Sequence, residues 1–287
     1  MYRELKHRIN TFFIYTFALT GIIMLISIFI FIVKESLPAL KNFGADLFLN
    51  FDWYPTSDPA SYGLLTMLFD SLIITFLSSV IVLPLGYIIA FFMNNYSKNN
   101  EKKILKYSVE LLSGVPSVII GMFLLIYISP WMLNIGAWSQ ENLLLGSVGL
   151  VIISLPYTSS LMEEAMDSVD KSLKESSLAL GATKFTTGFK IISRASMSGI
   201  LNSSILTINR IIGETMIVLM AAGGANMIPT NILDPVRTLT AAIASEMGEV
   251  ELGSIHYSSL FVAGLILLII SIILTTISKK ISRSFKV

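Results

Sequence analysis

Six long hydrophobic stretches, separated by polar segments, form the dominant pattern along this 287-residue chain. A membrane-spanning helix needs about 20 mostly apolar residues, because each residue adds about 1.5 Å against a hydrocarbon core about 30 Å thick. The stretches that reach this length are residues 11–33, 71–93, 109–133, 143–161, 196–222 and 257–278. The pattern therefore predicts an all-α integral membrane protein with six transmembrane helices.

The distribution of basic residues predicts the orientation of these helices. Cytoplasmic loops of membrane proteins carry an excess of lysine and arginine. Of the 20 basic residues, 16 fall in four segments that six spans would place on one side of the membrane. These segments are residues 1–10, 94–108, 161–195 and 279–287. We therefore predict that both termini are cytoplasmic, with an N-terminal segment at 1–10 and a tail at 281–287.

Two long segments are then predicted on the outer side, at residues 34–70 and 223–256. Within the second, residues 236–247 have helical character, which predicts a short helix lying on the outer face or dipping into it. The first hydrophobic stretch is longer than the 7–15-residue core of a secretory signal, so we interpret it as a retained helix. The remaining five helices would form one transmembrane domain at residues 71–280.

Composition supports a membrane protein and excludes several kinds of site. Hydrophobic residues make up 54% of the chain and charged residues only 14%, with a mean hydropathy of +0.74. Soluble proteins usually carry about 25% charged residues. The chain has no cysteine, which excludes disulfides and thiolate metal sites. His7 and His256 have no ligand partner at metal spacing, so we expect no metal site, and the net charge of +1 suggests no nucleic-acid partner.

The cytoplasmic loop at residues 161–195 is too polar to lie in lipid and too long for a simple turn. Val169, Leu173 and Ser177 fall on one helical face with Leu180 close to it, so a short amphipathic helix is predicted to run to Leu180. Gly181 would end it in the left-handed conformation. A second short helix could present Phe185, Phe189 and Ile192. From periodicity alone, a solvated amphipathic loop explains the pattern equally well.

The same loop resembles the coupling-loop signature of the membrane subunits of ABC importers, which begins Glu-Ala-Ala and continues to a glycine. Here the run is Glu-Ser-Ser at residues 175–177, with Gly181 at the matching place and serines for both alanines. Ser193-Arg194 stands where Leu-Pro is usual. The resemblance implies docking into a cleft of a dimeric ABC ATPase. The residues implied in that contact are Glu175, Ser176, Ser177, Leu178, Ala179, Gly181, Ala182, Thr183 and Lys184.

No Gly-x-x-x-x-Gly-Lys-Ser/Thr phosphate loop occurs in the chain. We therefore expect ATP with magnesium to be used by a separate ATPase subunit, and no cofactor to be bound by this chain. The sequence also lacks a convincing Ser/His/Asp set or paired-carboxylate arrangement. A non-catalytic membrane subunit is expected rather than a membrane-embedded enzyme.

Two charged residues, Arg210 and Glu214, stand inside the fifth stretch. An arginine at the centre of a spanning helix costs on the order of 2.5–3.5 kcal/mol, so it should face a polar pathway or a partner. The two residues are four apart and would share a helical face. Arginine matches an oxyanion bidentately, and the glutamate would accept a proton from a protonated phosphate. An internal ion pair that only locks packing is the alternative.

The third stretch is interrupted at Ser113-Gly114-Val115-Pro116. Pro116 suits the first turn of a new helix, with Ser113 or Gly114 capping it. A helix N-terminus within the membrane would offer backbone N–H groups to an anion. A simple packing kink is the alternative explanation. The candidate residues for a substrate pathway are Arg210, Glu214, Thr215, Ser113, Gly114 and Ser117.

Several motifs resemble the permeases of phosphate-specific ABC importers. They are Arg210-x-x-Gly213-Glu214-Thr215-Met216, Gly114-Val115-Pro116-Ser117, Pro84-Leu85-Gly86, Thr238-Leu239-Thr240 and Glu246-Met247-Gly248-Glu249. The likeness extends from about residue 62 to residue 278. Asp52-Trp53-x-Pro55 and Tyr62-Gly63 resemble the C-type more than the A-type permease of this family.

This resemblance implies a type I importer permease fold in the plasma membrane of a prokaryote, with phosphate as the transported ion. It also implies three protein partners: a homologous A-type permease, a dimeric ATPase and an extracytoplasmic phosphate-binding protein. Importers of molybdate or sulfate would keep the same coupling loop and remain an alternative. A secondary transporter or channel driven by an ion gradient is a further alternative, although it would not need that loop.

Overall fold

The structure is a computed structural model that describes residues 2–284, with side chains described for residues 11–98 and 100–282. Apart from one short hairpin, the regular elements of this part of the chain are helices. The long helices are α1 (Tyr2–Phe43), α3 (Leu65–Asn95), α7 (Leu143–Asp167) and α14 (Ile255–Ser284). The shorter helices are α2 (Asp46–Leu49), α4 (Asn99–Ser113), α5 (Ser117–Phe123), α6 (Ser129–Asn134), α8 (Lys171–Ala179), α9 (Lys184–Thr186), α10 (Ser193–Ala195), α11 (Met197–Ile212), α12 (Met216–Ala221) and α13 (Leu239–Glu246).

Five helical segments within the described residues are long and apolar enough to cross a membrane. They are Thr11–Phe43, Leu65–Asn95, Ser117–Asn134, Leu143–Asp167 and Ile255–Ser282. The stretch predicted at 196–222 forms α11 and α12 instead, because the helix is interrupted between Ile212 and Met216. The protein is thus a multi-pass membrane protein, and the count of six spans and the cytoplasmic termini stay predictions.

Several boundaries differ from the sequence-based ones. Helix α1 continues past residue 33 to Phe43, and α3 begins at Leu65, so the outer segment predicted at 34–70 is helical at both ends. The third stretch divides into the end of amphipathic α4 and an apolar segment that contains α5 and α6. A π-helical turn at Leu124–Ile128 connects α5 to α6. Of the predicted tail at 281–287, the last three residues lie outside the described part of the chain.

Helix α7 is the central element of the fold. It packs against α3, α11, α12 and α4, whereas α1 packs mainly on α14. Small residues allow these approaches: a Cβ on Gly86 of α3 would lie 2.6 Å from Thr158 Cγ2 of α7. The apolar core around Leu150 and Leu124 therefore sits between α3, α5, α7 and α12.

The two segments predicted on the outer side, residues 34–70 and 223–256, pack on each other through a second core and a charged network. Strands β1 (Trp53–Tyr54) and β2 (Ser61–Tyr62) form an antiparallel hairpin in which Trp53 faces Tyr62. Trp53 Nε1 donates to both carboxylate oxygens of Glu246, at 3.1 Å each. Arg237 and His256 also pair with Glu246. This network holds the hairpin against α13, the helix predicted at residues 236–247.

Candidate functional site

The interruption between α11 and α12 lies where the sequence placed two charged residues. Gly213 ends α11, and Glu214 and Thr215 stand between the two helices. The Glu214 carbonyl, which loses its helical partner here, accepts a hydrogen bond of 2.9 Å from Thr240 Oγ1 of α13. Thr215 N–H donates to Glu214 Oε1 at 3.3 Å. Helix α13 thereby stabilises the interruption.

Arg210 occupies the last turn of α11, and its side chain is exposed. Its guanidinium lies 5.2 Å from the centroid of the Tyr157 ring of α7, within the range of a cation–π contact. The prediction that Arg210 and Glu214 share a helical face is wrong, because α11 ends at Ile212. Among the described side chains, no ion pair joins these two residues, so the internal-pair alternative finds no support.

Tyr157 was not found by sequence reasoning. It follows Pro156 in an apolar helix, where a tyrosine has no distinctive pattern. Its ring lies beside the guanidinium, and the Arg210 side chain remains exposed. An arginine held in this way is suited to bidentate binding of an oxyanion.

The interruption before α5 has a different geometry from the one predicted. Ser113 does not cap the new helix, because its hydroxyl donates back to Val109 O at 3.0 Å within α4. Pro116 takes the N-cap position and Ser117 is the first residue of α5. Gly114 forms the end of α4 and is exposed.

The half-helices that follow the two interruptions lie against each other. A Cβ on Gly121 of α5 would lie 2.8 Å from Met220 Sδ and 3.5 Å from Met216 O of α12. Ser117 precedes Gly121 by one helical turn and shares its face. The structure therefore places Ser117 on the face of α5 that packs against α12, whereas Ser113 and Gly114 lie on the exposed end of α4.

The coupling loop contains the capped helix that the sequence predicted. Helix α8 begins with Asp170, whose carboxylate accepts from Ser172 N–H at 2.9 Å. Gly181 has φ +83°, Gly181 N–H donates to Leu178 O and Ala182 N–H donates to Ser177 O. These two bonds form a Schellman motif, which stops the helix with a defined geometry. Thr183 then caps α9 by accepting from Thr186 N–H at 3.1 Å.

The exposed side of this loop carries apolar side chains. Leu173, on the predicted apolar face, is exposed, and Leu180, predicted close to that face, is 89% exposed, because no residue of α8 is buried and the helix ends at Ala179. Leu178 and Phe185 are also exposed. In place of the predicted second helix, the chain forms α9, a π-helical turn at Thr187–Ile192 and α10. Of the three apolar side chains predicted for that helix, Ile192 is buried, whereas Phe185 and Phe189 are exposed. An exposed apolar surface on a polar loop indicates a protein partner.

Sequence comparison identifies the family. The family model described as binding-protein-dependent transport system inner membrane component matches residues 82–287, which include both interruptions and the whole coupling loop. The chain belongs to this family. It is therefore a permease subunit of the ABC importer type, and α1 and the β-hairpin lie before the matched residues.

Curated relatives cover most of the permease. A protein of Bacillus subtilis named probable ABC transporter permease protein YqgH is 34% identical over 237 residues, 82% of this chain and 77% of that protein. Phosphate transport system permease protein PstC of Mesorhizobium japonicum is 28% identical over 91% of this chain and 85% of its own length. Probable phosphate transport system permease protein PstA of Methanocaldococcus jannaschii is 28% identical over 84% and 82%.

Solved structures with the same fold include a bacterial ABC transporter involved in the import of the acidic polysaccharide alginate. A chain of that transporter superposes with a TM-score of 0.67 at 16% identity, covering 99% of the permease and 100% of that chain. A chain of the MetNI methionine ABC transporter superposes with a TM-score of 0.57 at 18% identity, covering 78% and 95%. These likenesses establish the importer permease fold.

Proposed function

We propose that this permease is a membrane subunit of an ABC importer of inorganic phosphate, in the C-type position of a pair of homologous permeases. The observation that carries the proposal is its similarity to PstC-named relatives, which extends over 91% of the chain in one case and 96% in another. A likeness of that extent includes the outer segments as well as the family-matched domain.

The proposed substrate contact is the Arg210 guanidinium, supported by the Tyr157 ring and exposed at the end of α11. Glu214 and Thr215 at the interruption, with Ser117 on the neighbouring half-helix, would provide the polar groups around it. A carboxylate beside the site favours a substrate that still has a proton to donate, as phosphate does near neutral pH. Ser113 and Gly114 would contribute only when α4 faces the second permease.

The proposed motor is a separate dimeric ATPase that binds ATP with magnesium, while this subunit is non-catalytic. Its docking surface would be residues 175–184, where α8, the Gly181 turn and the cap at Thr183 form a rigid unit. The proposed outer partner is a phosphate-binding protein, which would dock on the hairpin and α13. Membership of the binding-protein-dependent transport family supports the proposal of each of these partners.

The decisive experiment is reconstitution of the permease with its cognate homologous permease, ATPase and phosphate-binding protein in proteoliposomes. We expect uptake of radioactive phosphate that requires ATP and persists in the presence of excess sulfate or molybdate. Uptake of labelled molybdate or sulfate without uptake of labelled phosphate would contradict the proposed substrate. Uptake driven by an ion gradient without the ATPase would contradict the proposed motor.

Variants at Arg210 test the substrate contact within the same assay. A hydrogen-bonded charged contact contributes about 1.5–3 kcal/mol, so Arg210→Gln should lower kcat/KM for phosphate about 10- to 150-fold. Arg210→Lys keeps the charge but loses the planar fork, and should retain part of the activity. Glu214→Gln should also lower phosphate uptake, because it removes the carboxylate that would accept the phosphate proton. Wild-type uptake by Arg210→Gln and Glu214→Gln would remove both residues from the pathway.

A further inference from the structure

A cluster of charged and polar side chains joins four helices at the end of the molecule that carries the coupling loop. We name it the cytoplasmic cluster, and its members are Asn94, Lys102, Glu163, Asp167 and Lys174. The Lys102 ammonium of α4 lies 2.5 Å from Glu163 Oε1 and 2.6 Å from Asp167 Oδ2, both on α7. One lysine thus bridges two carboxylates that are four residues apart on α7.

The cluster continues from α7 into the coupling helix. Asn94 Nδ2, near the end of α3, donates to Asp167 Oδ1 at 2.6 Å. Lys174 Nζ of α8 donates to the Asn94 backbone carbonyl at 2.9 Å. A continuous set of contacts therefore runs from α8 through the end of α3 and through α7 to Lys102 of α4.

Burial of Glu163 increases the energetic importance of its contact with Lys102. The Glu163 side chain is only 4% exposed, and a carboxylate so buried is strongly unfavourable without a positive partner. Burial by itself lowers the pKa of Lys102, but hydrogen bonds and Coulombic attraction from Asp167 and Glu163 outweigh it and raise that pKa. Lys102 therefore stays protonated at neutral pH and holds α4 to α7.

Beside the cluster, a cavity lies between α8 and the other helices. This cavity of about 560 Å³ opens between α8 and the ends of α3, α4 and α7, and its lining includes Lys102, Asp167, Lys171 and Lys174. Helix α8 itself packs mainly against the π-helical turn at Thr187–Ile192. A movement of α8 can therefore reach α4 through the side chains of the cluster more directly than through packed backbone.

Helix α4 leads directly into the interruption before α5, and α5 packs against α12 beside the proposed substrate contact. We propose that Lys102 is a positioning residue that transmits the movement of the coupling helix α8 to α4, and so to the interrupted helices of the pathway. This inference rests on the proposed function, because it needs an ATP-driven partner that moves α8.

The test uses the complete reconstituted importer with Lys102→Met, the conservative Lys102→Arg and the control Lys103→Met. Lys103 is exposed on the same helix and outside the cluster. We expect Lys102→Met to raise the ATP hydrolysed per phosphate transported about tenfold, Lys102→Arg to restore the ratio and Lys103→Met to leave it unchanged. A wild-type ratio in Lys102→Met, or a parallel fall of transport and hydrolysis with the ratio preserved, would overturn the proposal.

Lys102→Met leaves Glu163 buried without its partner and could fail to fold. The double variant Lys102→Met/Glu163→Gln removes both charges and avoids that penalty. If Lys102 transmits movement, the folded double variant remains uncoupled because α4 is still disconnected from Asp167. Recovery of the wild-type ratio by the double variant would show that the pair serves only stability.

A spectroscopic measurement separates this inference from the identity of the substrate. Because the chain has no cysteine, spin labels can be attached at Lys106→Cys on α4 and Lys171→Cys on α8, both exposed positions. We expect ATP to leave the α4–α8 distance unchanged in the otherwise wild-type importer and to change it in Lys102→Met. A distance that changes equally in both would overturn the inference, whatever ion is transported.

Discussion

Helices α1 and α7 are both apolar and long enough to cross a membrane, yet they occupy opposite environments. In the most hydrophobic window of α1 none of the residues is buried inside the protein, whereas 67% are buried in the corresponding window of α7. Helix α1 is nevertheless the more hydrophobic of the two. Lipid tails are as apolar as leucine, so burial of a membrane helix depends on small and hydroxylated residues that allow close packing rather than on greater hydrophobicity.

The residues of α7 show how the packed helix differs. Its buried positions include glycines and hydroxyl side chains that let neighbouring backbones approach, among them Gly146, Ser147, Gly149, Ser154, Thr158 and Ser159. The helix also contributes Tyr157 to the proposed substrate contact and Glu163 and Asp167 to the cytoplasmic cluster. Helix α1 packs mainly on α14. Matched substitutions in the two helices therefore test this difference in burial.

The largest difference in stability between matched variants of α7 and α1 is expected when a leucine is replaced by alanine. Leu150 is fully buried in the core, whereas Leu25 of α1 is 70% exposed. Leu150→Ala should destabilise the protein by about 2–3 kcal/mol, the lower part of the range for such cavities, because lipid replaces water as the reference environment. Leu25→Ala should cost little. Thermal unfolding of the purified protein measures both, and equal losses would contradict the assignment of α7 as the core helix.

Glycine substitutions should give the next largest effect. A Cβ on Gly149 would lie 2.4 Å from Leu124 Cδ1 and 2.5 Å from Ile217 Cγ2, whereas nothing lies within 4 Å of one on Gly21. Gly149→Ala should cost about 1–2 kcal/mol through overpacking. Gly21→Ala should be neutral or slightly stabilising in the same unfolding measurement. A neutral Gly149→Ala would show that the side chains of Leu124 and Ile217 move aside without strain.

Tyrosine substitutions connect the comparison to transport. Removing the ring beside Arg210 should cost about 0.5–1 kcal/mol of cation–π attraction, so Tyr157→Leu should raise the KM for phosphate roughly two- to fivefold. Tyr157→Phe keeps the ring and should retain the wild-type KM. Tyr15 of α1 is 72% exposed, and Tyr15→Leu should have no effect on uptake. An unchanged KM in Tyr157→Leu would mean that Arg210 needs no support from α7.

The smallest effect is expected for a hydroxyl group. Thr158 Oγ1 lies 3.0 Å from Thr207 Oγ1 of α11, whereas Thr16 Oγ1 donates to Phe12 O of its own helix at 2.9 Å. Hydrogen bonds between membrane helices contribute on the order of 0.6 kcal/mol, so Thr158→Val should lower stability by about that amount. Thr16→Val should not change it measurably. A greater loss of stability in Thr16→Val than in Thr158→Val would contradict the assignment of α7 as the packed helix.

The coupling loop illustrates what could be predicted from local sequence. The Gly181 cap is confirmed because the conformation of a helix end depends on residues within one turn of it. Arg210 and Glu214 were also found as candidates, because charges inside an apolar stretch stand out. Their roles in transport stay predictions.

The interruption at Glu214 and the contact of Arg210 with Tyr157 could not be predicted in the same way. Glycine is tolerated in apolar helices, so Gly213 alone did not indicate an end to α11. The bond that satisfies the Glu214 carbonyl comes from Thr240, 26 positions later in the chain. The partners of Lys102 are 61 and 65 residues away, and no periodic pattern identifies them.

Membrane insertion, the helical class and the position of the capped coupling helix followed from sequence pattern, because each depends on residues adjacent in the chain or on overall composition. Which hydrophobic helix the rest of the chain leaves exposed, where the fifth stretch is interrupted and which charges meet beside α8 became evident only in the folded molecule. The physical reason is that these features are set by contacts between helices far apart in the chain, and hydrophobicity alone does not distinguish lipid from a packed neighbour.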